Sequence, residues 1–440
     1  MNSQHGEEAE VQLSKHDARL ILSRLITTPV APGSYSYLIN AGTDAILEAL
    51  QKNYFNGQLA EGISCFKFVE GDYGTGKTQF INSLARRGMD DNIVVAIVSI
   101  GQECPFNSPH AIFKSVMGAF VPPPREDDPI DTDKGIEILV RDWIRRQLRE
   151  MGVGAGEQVP PAARRQIETR FEALWLGAPD QQMSNALRAL SRRLLDLECG
   201  GSGSASDGEL IEWIRGGSVR SRNLKEMFGL YEPTKDDNAF KRLKTVVGFL
   251  RQRMGYHGFM IAFDEGGRVI SFRRGTAKQK QAIENMLTMI NENAEGAFGG
   301  VMFVYAATPE FRSEVISKTY RALDDRIGSI AFLPGSPETP LISLERLQSD
   351  YVLVEIGERL MDVFAAAEEV SWNRDLQRNN LRRLIEAQKG ELAYLNSVPP
   401  RIFVYHCCAL LSQQKDHQFE LELEQMATFV NSHEVPETEA

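Results

Sequence analysis

The chain has little cysteine, little histidine and no long apolar run. Five cysteines, Cys65, Cys104, Cys199, Cys407 and Cys408, are spread over 440 residues without a CxxC pair, so neither a disulfide framework nor a zinc site is indicated. Adjacent Cys407 and Cys408 are expected to pack inside a helix. The seven histidines are scattered; His257 and His406 read as packed residues rather than ligands, and no nuclease, protease or methyltransferase constellation is visible. No stretch approaches the roughly 18 consecutive apolar residues of a membrane helix, and the opening MNSQHGEEAEVQLSK lacks the apolar core of a signal peptide. The expectation is a cytoplasmic chain. What is there, 42% hydrophobic and 25% charged residues, describes an ordinary globular protein, long enough for two or three domains at about 150 residues each.

The net charge is −11, but it is unevenly held. Residues 110–255 carry 23 basic and 21 acidic side chains, leaving 26 and 39 for the remainder. The acidic total argues against indiscriminate nucleic-acid coating and leaves local basic patches as the alternative. Two such clusters occur, Arg273, Arg274, Lys278 and Lys280, and Arg215, Arg220, Arg222 and Lys225. Either could contact DNA phosphates, although charge runs on helices usually form solvated faces.

Along the chain, Ala18, Ile21, Leu22 and Leu25 have helical spacing, and a second helix is expected near 43–54. The runs SCFKFV (64–69), NIVVAIVSI (92–100), GFMIAF (258–263) and VMFVYA (301–306), with Ser329 to Phe332, read as strands. Nearly continuous apolar runs fit a parallel sheet buried on both faces. Residues 109–255 turn helical, broken at Pro122–Pro124, Gly152–Pro161 and Gly200–Asp207, the last a flexible linker by composition. Residues 341–432 are helical again, and EVPETEA is a loose tail.

Gly71-Asp72-Tyr73-Gly74-Thr75-Gly76-Lys77-Thr78 fits GxxxxGK[ST] at every fixed position, between a strand and a helix. Glycines let backbone N–H groups turn inward around a phosphate chain, and the following helix adds the positive end of its dipole. Residues Gly71 to Gln79 are therefore the expected nucleotide cradle. Lys77 would reach the β- and γ-phosphates of ATP, and Thr78 would ligate Mg²⁺. The apolar strand MIAF then ends in Asp264-Glu265, a Walker B pattern. Asp264 fits the magnesium role and Glu265 the polarisation of the attacking water. Lysine and aspartate lie 187 residues apart, so a helical block must split the α/β domain. A further strand ends in Ala307-Thr308-Pro309-Glu310, placing Thr308 either to sense the γ-phosphate or to cap the next helix.

These motifs, with a helical C-terminal region, resemble AAA+ ATPases of the Orc/Cdc6-like branch. More closely, the chain resembles the P-loop ATP-binding proteins of BREX-type phage defence, the BrxD kind, which share the opening helix and Pro/Gly turn at 16–42, VSIGQECPF at 98–106 and LIEWIRGG at 210–217. The resemblance implies an α/β AAA+ fold with a parallel sheet of order 5-1-4-3-2, a large helical insertion, and a C-terminal helical lid, with nucleotide between lid and sheet. On that plan 1–108 and 256–340 form the α/β domain, 109–255 the insertion, 341–433 the lid and 434–440 a tail. It also makes Arg401, in PPRIF, the sensor 2 arginine, and Arg326 the trans arginine finger, although Gly328-Ser329 stand where a second arginine is usual.

The leading expectation is an ATPase of antiphage defence whose ATP and ADP states act on DNA or on a protein partner such as a helicase, as monomer or homo-oligomer. The rivals are a nucleotide-gated switch or scaffold with little turnover and an Orc/Cdc6-like DNA loader. A small-molecule kinase fits less well.

Overall fold

The computed structural model describes residues 13–27, 31–124, 133–172, 175–264, 276–336, 338–392, 397–433 and 435. In chain order these form α1 (Lys15–Thr27), α2 (Asp44–Leu50), β1 (Cys65–Glu70), α3 (Lys77–Asp90), β2 (Ile93–Ser99), α4 (Pro109–Ala119) and β3 (Phe120–Val121). There follow α5 (Ile136–Glu150), α6 (Pro161–Glu172), α7 (Gln181–Glu198), α8 (Ala205–Ile214), α9 (Arg222–Phe228), α10 (Ala239–Met254), β4 (Gly258–Asp264), α11 (Ala277–Ala294) and β5 (Val301–Ala307). The chain closes with α12 (Ser317–Thr319), α13 (Arg321–Ile327), β6 (Leu341–Ser343), α14 (Asp350–Glu368), α15 (Arg374–Glu391), α16 (Pro400–Gln414) and α17 (Leu423–Ser432). It divides into two units, one of residues 45–72 and 84–343, the other of 1–44, 73–83 and 344–440.

The first unit is built on a six-stranded sheet of order β3-β2-β4-β5-β1-β6. Every pairing is parallel except β2 with β3. Every residue of β4 and β5 is buried, as central strands covered on both faces require. The implied order 5-1-4-3-2 is corrected here. The sheet has a sixth strand, because Phe120 and Val121 turn back directly after α4 and pair antiparallel with Ala96 and Val95. Ser329 to Phe332 form no strand. The Phe332 N–H donates to the Leu341 carbonyl, and the sheet-forming residues are instead Leu341–Ser343, inside the stretch expected to be helical. Three residues are too few for alternation to register as a pattern.

The helical block 109–255 follows its capping signals. Ser108 caps α4 with Pro109 in its first turn, Asp180 caps α7, and Ser221 caps α9. The expected linker 200–207 is only half irregular. Ser204 and Asp207 form a capping box that opens α8, and Arg193 grips the Asp207 carboxylate at 2.7 and 3.0 Å. Trp143, Trp213, Leu187 and Leu250 of this block belong to the same buried cluster as Phe263, Phe303 and Tyr305 of the sheet.

In the second unit α1 packs on α14 and α16, and α15 packs on α14, α16 and α17. The buried face of α1 is Ala18, Ile21, Leu22 and Leu25, as its spacing foretold. Lys15 pairs with Glu369 at 2.8 Å, and Arg359 bridges Asp44 and Glu355 at 2.9 and 2.6 Å. Cys407 and Cys408 are fully buried within α16.

Candidate functional site

In the sheet unit, the strands end together at one edge. Glu70 stands opposite Ala307, Phe263 opposite Tyr305, and Asp264 opposite Ser99. The Gly71 N–H extends the ladder by one bond, to the Ala307 carbonyl at 3.2 Å. The edge therefore gathers the start of the glycine loop, Asp264 and Thr308, as expected where ligands meet a parallel sheet. Asp264 is 4% exposed and Thr308 3%. The Thr308 hydroxyl accepts the Phe311 N–H at 3.4 Å. It thus caps a turn that continues into a π-helical segment, Phe311–Ile316, the structural alternative raised by the sequence.

The rest of the loop lies in the other unit. Gly74 and Gly76 have φ of +79° and +96°, a region L side chains rarely adopt. Lys77 opens α3, and the start of a helix is the end at which negative charge is favoured. The Phe80 N–H closes the first turn of α3 on the Gly76 carbonyl at 2.8 Å. Thr78 is exposed, and the Lys77 ammonium lies 5.5 Å from the Tyr73 ring centroid. The Gln79 side chain is engaged elsewhere, donating to the Ser36 carbonyl, which leaves its backbone as the group able to meet a nucleotide. The Arg401 N–H donates to the Gly74 carbonyl at 3.3 Å. A Cβ on Gly74 would stand 3.2 Å from the Arg401 Cβ and 3.8 Å from that of Pro399. A side chain at Gly74 would crowd this turn.

The family model of the BREX system ATP-binding proteins BrxC/D matches residues 13–430. The chain belongs to this BrxC/D family. Membership makes it an ATP-binding protein of the BREX system. No curated protein and no solved structure gives a match. Among the described residues no helix is long and apolar enough to cross a membrane.

Glu265, Arg273 and Arg274 lie outside the described residues. Arg326 is exposed on α13 and donates to the Ala322 carbonyl at 3.3 Å. Lys278 and Lys280 are exposed on α11, as are Arg220 and Lys225 in the helical block. Arg215 pairs with Glu137, and Arg222 with Glu226 at 2.6 Å, so the second basic cluster is partly neutralised.

One network escaped the sequence. Arg312 donates to Asp324 at 2.9 Å and to the Gly328 carbonyl at 2.5 Å, and its guanidinium lies 3.7 Å from the Glu70 carboxylate. It joins the residue before the glycine loop to α13. Its one sequence signal is its place a turn after Thr308. A second is Lys67, 1% exposed in β1, donating to the Tyr54 hydroxyl at 2.6 Å and the Thr339 carbonyl at 3.1 Å. Burial pulls its ammonium down to about 8 and pushes the neighbouring Cys65 thiol up to about 12.

Proposed function

We propose that this BrxC/D protein is a magnesium-dependent AAA+ ATPase of antiphage defence whose nucleotide state acts on DNA or on a protein partner such as a helicase. The supporting observation is the loop Gly71–Thr78, with left-handed Gly74 and Gly76 ahead of α3 and with Arg401 against Gly74. The five parallel strands, counted among themselves from β6, run 5-1-4-3-2, which supports the AAA+ assignment. Backbone N–H groups of Gly71 to Gln79 hold the phosphates, and Lys77 neutralises the β- and γ-oxygens. Thr78 and Asp264 hold magnesium, which supplies charge neutralisation when bound. Glu265 orients and deprotonates the attacking water. Thr308, Arg401 and Arg326 are the groups through which loss of the γ-phosphate reaches the rest of the chain. The lid, expected at 341–433, begins only after β6, the insertion is 109–255, and the compartment is the cytoplasm.

A second reading, a switch with little unaided turnover, is favoured by Gly328, which ends α13 at φ +74° where the resemblance leads one to look for a second arginine. The test is titration of ATP with and without magnesium. Wild type is expected to bind ATP, Lys77→Ala to lose affinity, and Thr78→Ala to lose the magnesium dependence. ATP binding untouched by Lys77→Ala would sink the assignment.

A further inference from the structure

Two stretches conspicuous in the sequence, 98–106 and 210–217, take no part in the proposed reaction. Within the sheet unit they lie along one path. Residues 100–108 belong to neither helix nor strand, yet the segment is pinned. At its start the Ile100 N–H donates to the Asp264 carbonyl at 3.0 Å. Further on, fully buried Phe106 meets the Phe263 ring edge-on at 4.9 Å and the Tyr305 ring at 6.3 Å, while those two rings stack on each other at 5.4 Å. Phe263 precedes Asp264, and Tyr305 lies on the strand that ends beside Thr308. Asn285, itself 4% exposed, donates to the Phe106 carbonyl at 2.9 Å and fixes the backbone there.

The far end of the segment is held by the helical block. The Asp236 carboxylate accepts from the Ser108 hydroxyl and from the His110 N–H, each at 2.8 Å, so one side chain of the block grips the start of α4. The chain around Asp236 is anchored in turn. Buried Arg242 donates to the Thr234 hydroxyl at 2.9 Å and to the Glu232 carbonyl at 2.7 Å, and its guanidinium lies 4.5 Å from the Trp213 ring centroid. Trp213 belongs to the second stretch, which also meets α4 directly. The His110 ring donates to the Gly216 carbonyl at 2.6 Å, and a Cβ on Gly216 would come within 3.1 Å of Phe113. Close-packed interiors move between discrete arrangements and do not yield gradually, so a displacement of Phe263 is met by Phe106 and passed to the start of α4.

We propose that residues 100–110 couple the strand ends carrying Asp264 and Thr308 to the helical block, with Phe106 as the positioning residue and Asp236 as the anchor. Nucleotide bound at that edge is then felt in the block, and a ligand of the block is felt at the edge, because a coupling free energy acts equally in both directions. The proposal rests on the ATP-site reading above and adds the route of its regulation.

The experiment is hydrogen–deuterium exchange of the full-length protein, read by mass spectrometry, with and without a saturating non-hydrolysable ATP analogue and magnesium. In wild type the ligand is expected to slow exchange in the glycine loop, and by about fivefold or more in 100–112 and 232–242. Asp236→Ala should keep the slowing in the glycine loop and in 100–106 and lose it in 232–242. Asp236→Asn, which retains an acceptor oxygen, should keep all of it. Loosened packing alone raises exchange equally with and without ligand, so the ratio between the two conditions reads the coupling. Should Asp236→Ala melt early, Phe106→Leu carries the test and should also lose the effect in 232–242. Slowing of 232–242 that survives both variants, or wild-type slowing confined to the glycine loop, would overturn the proposal and leave the ATP-site reading standing. No change anywhere, the glycine loop included, would overturn both.

Discussion

The backbone N–H of Arg401 donates to the carbonyl of Gly74 at 3.3 Å, so the first turn of α16 rests on the turn of the glycine loop. Pro399 and Pro400 make this contact possible. They fix the chain entering α16 and lack N–H groups of their own, leaving Arg401 the first residue of that helix able to donate.

Gly74→Ala is therefore expected to do two kinds of damage. A left-handed φ of +79° costs an alanine roughly 1–2 kcal/mol, and the new methyl meets Arg401 at 3.2 Å. ATP affinity should fall about tenfold, the equivalent of roughly 1.4 kcal/mol, while melting shifts by only a few degrees. Calorimetric titration checks the first and thermal unfolding the second.

Removing the Arg312 side chain leaves Glu70 and Asp324 facing each other without their shared cation. Arg312→Ala should destabilise the protein by roughly 1–3 kcal/mol. A double-mutant cycle with Asp324→Ala should return a coupling of about 1 kcal/mol. Denaturant unfolding of the four proteins measures it, and additive effects would show that the 2.9 Å contact carries no energy.

Thr308 has two roles that substitution separates. As a cap its hydroxyl contributes at most about 1 kcal/mol, which Thr308→Val loses and Thr308→Ser keeps. If it also meets the γ-phosphate, Thr308→Val should lower kcat at least tenfold with KM for ATP little changed. A valine variant that melts earlier but turns over normally would leave only the cap.

Lys67 makes stability depend on pH with a defined sign. Its value is about 8 in the folded chain against 10.5 when unperturbed, so between those limits the unfolded chain holds more protons and stability rises with pH. The thiol of Cys65, raised from 9.0 to about 12, acts in the opposite direction from pH 9 upward. The clean window is thus pH 8 to 9. There the stability of wild type relative to Lys67→Met should rise by on the order of 1 kcal/mol, measured by urea unfolding at each pH. A flat difference would mean that Lys67 titrates as it does in the unfolded chain.

Local chemistry was legible in the sequence. The glycine loop and four of the strands stand where their runs placed them, because a buried parallel strand needs an uninterrupted apolar run and a P-loop needs glycines at set positions. What escaped depends on distant partners. Phe120 and Val121 become a strand through Val95 and Ala96, and Leu341–Ser343 through Phe68–Glu70. The basic clusters were read by density along the chain. The structure weighs them by which carboxylate answers each arginine, and Glu137 answers Arg215 as Glu226 answers Arg222.

The most direct test of the central claim is steady-state ATP hydrolysis by wild type, Lys77→Ala and Glu265→Gln in the presence of magnesium. Turnover by wild type, loss of binding in the lysine variant, and retained ATP binding with hydrolysis slowed at least a hundredfold in the glutamine variant are expected, the scale of a general base. An unchanged rate for Glu265→Gln, or hydrolysis surviving Lys77→Ala, would contradict it.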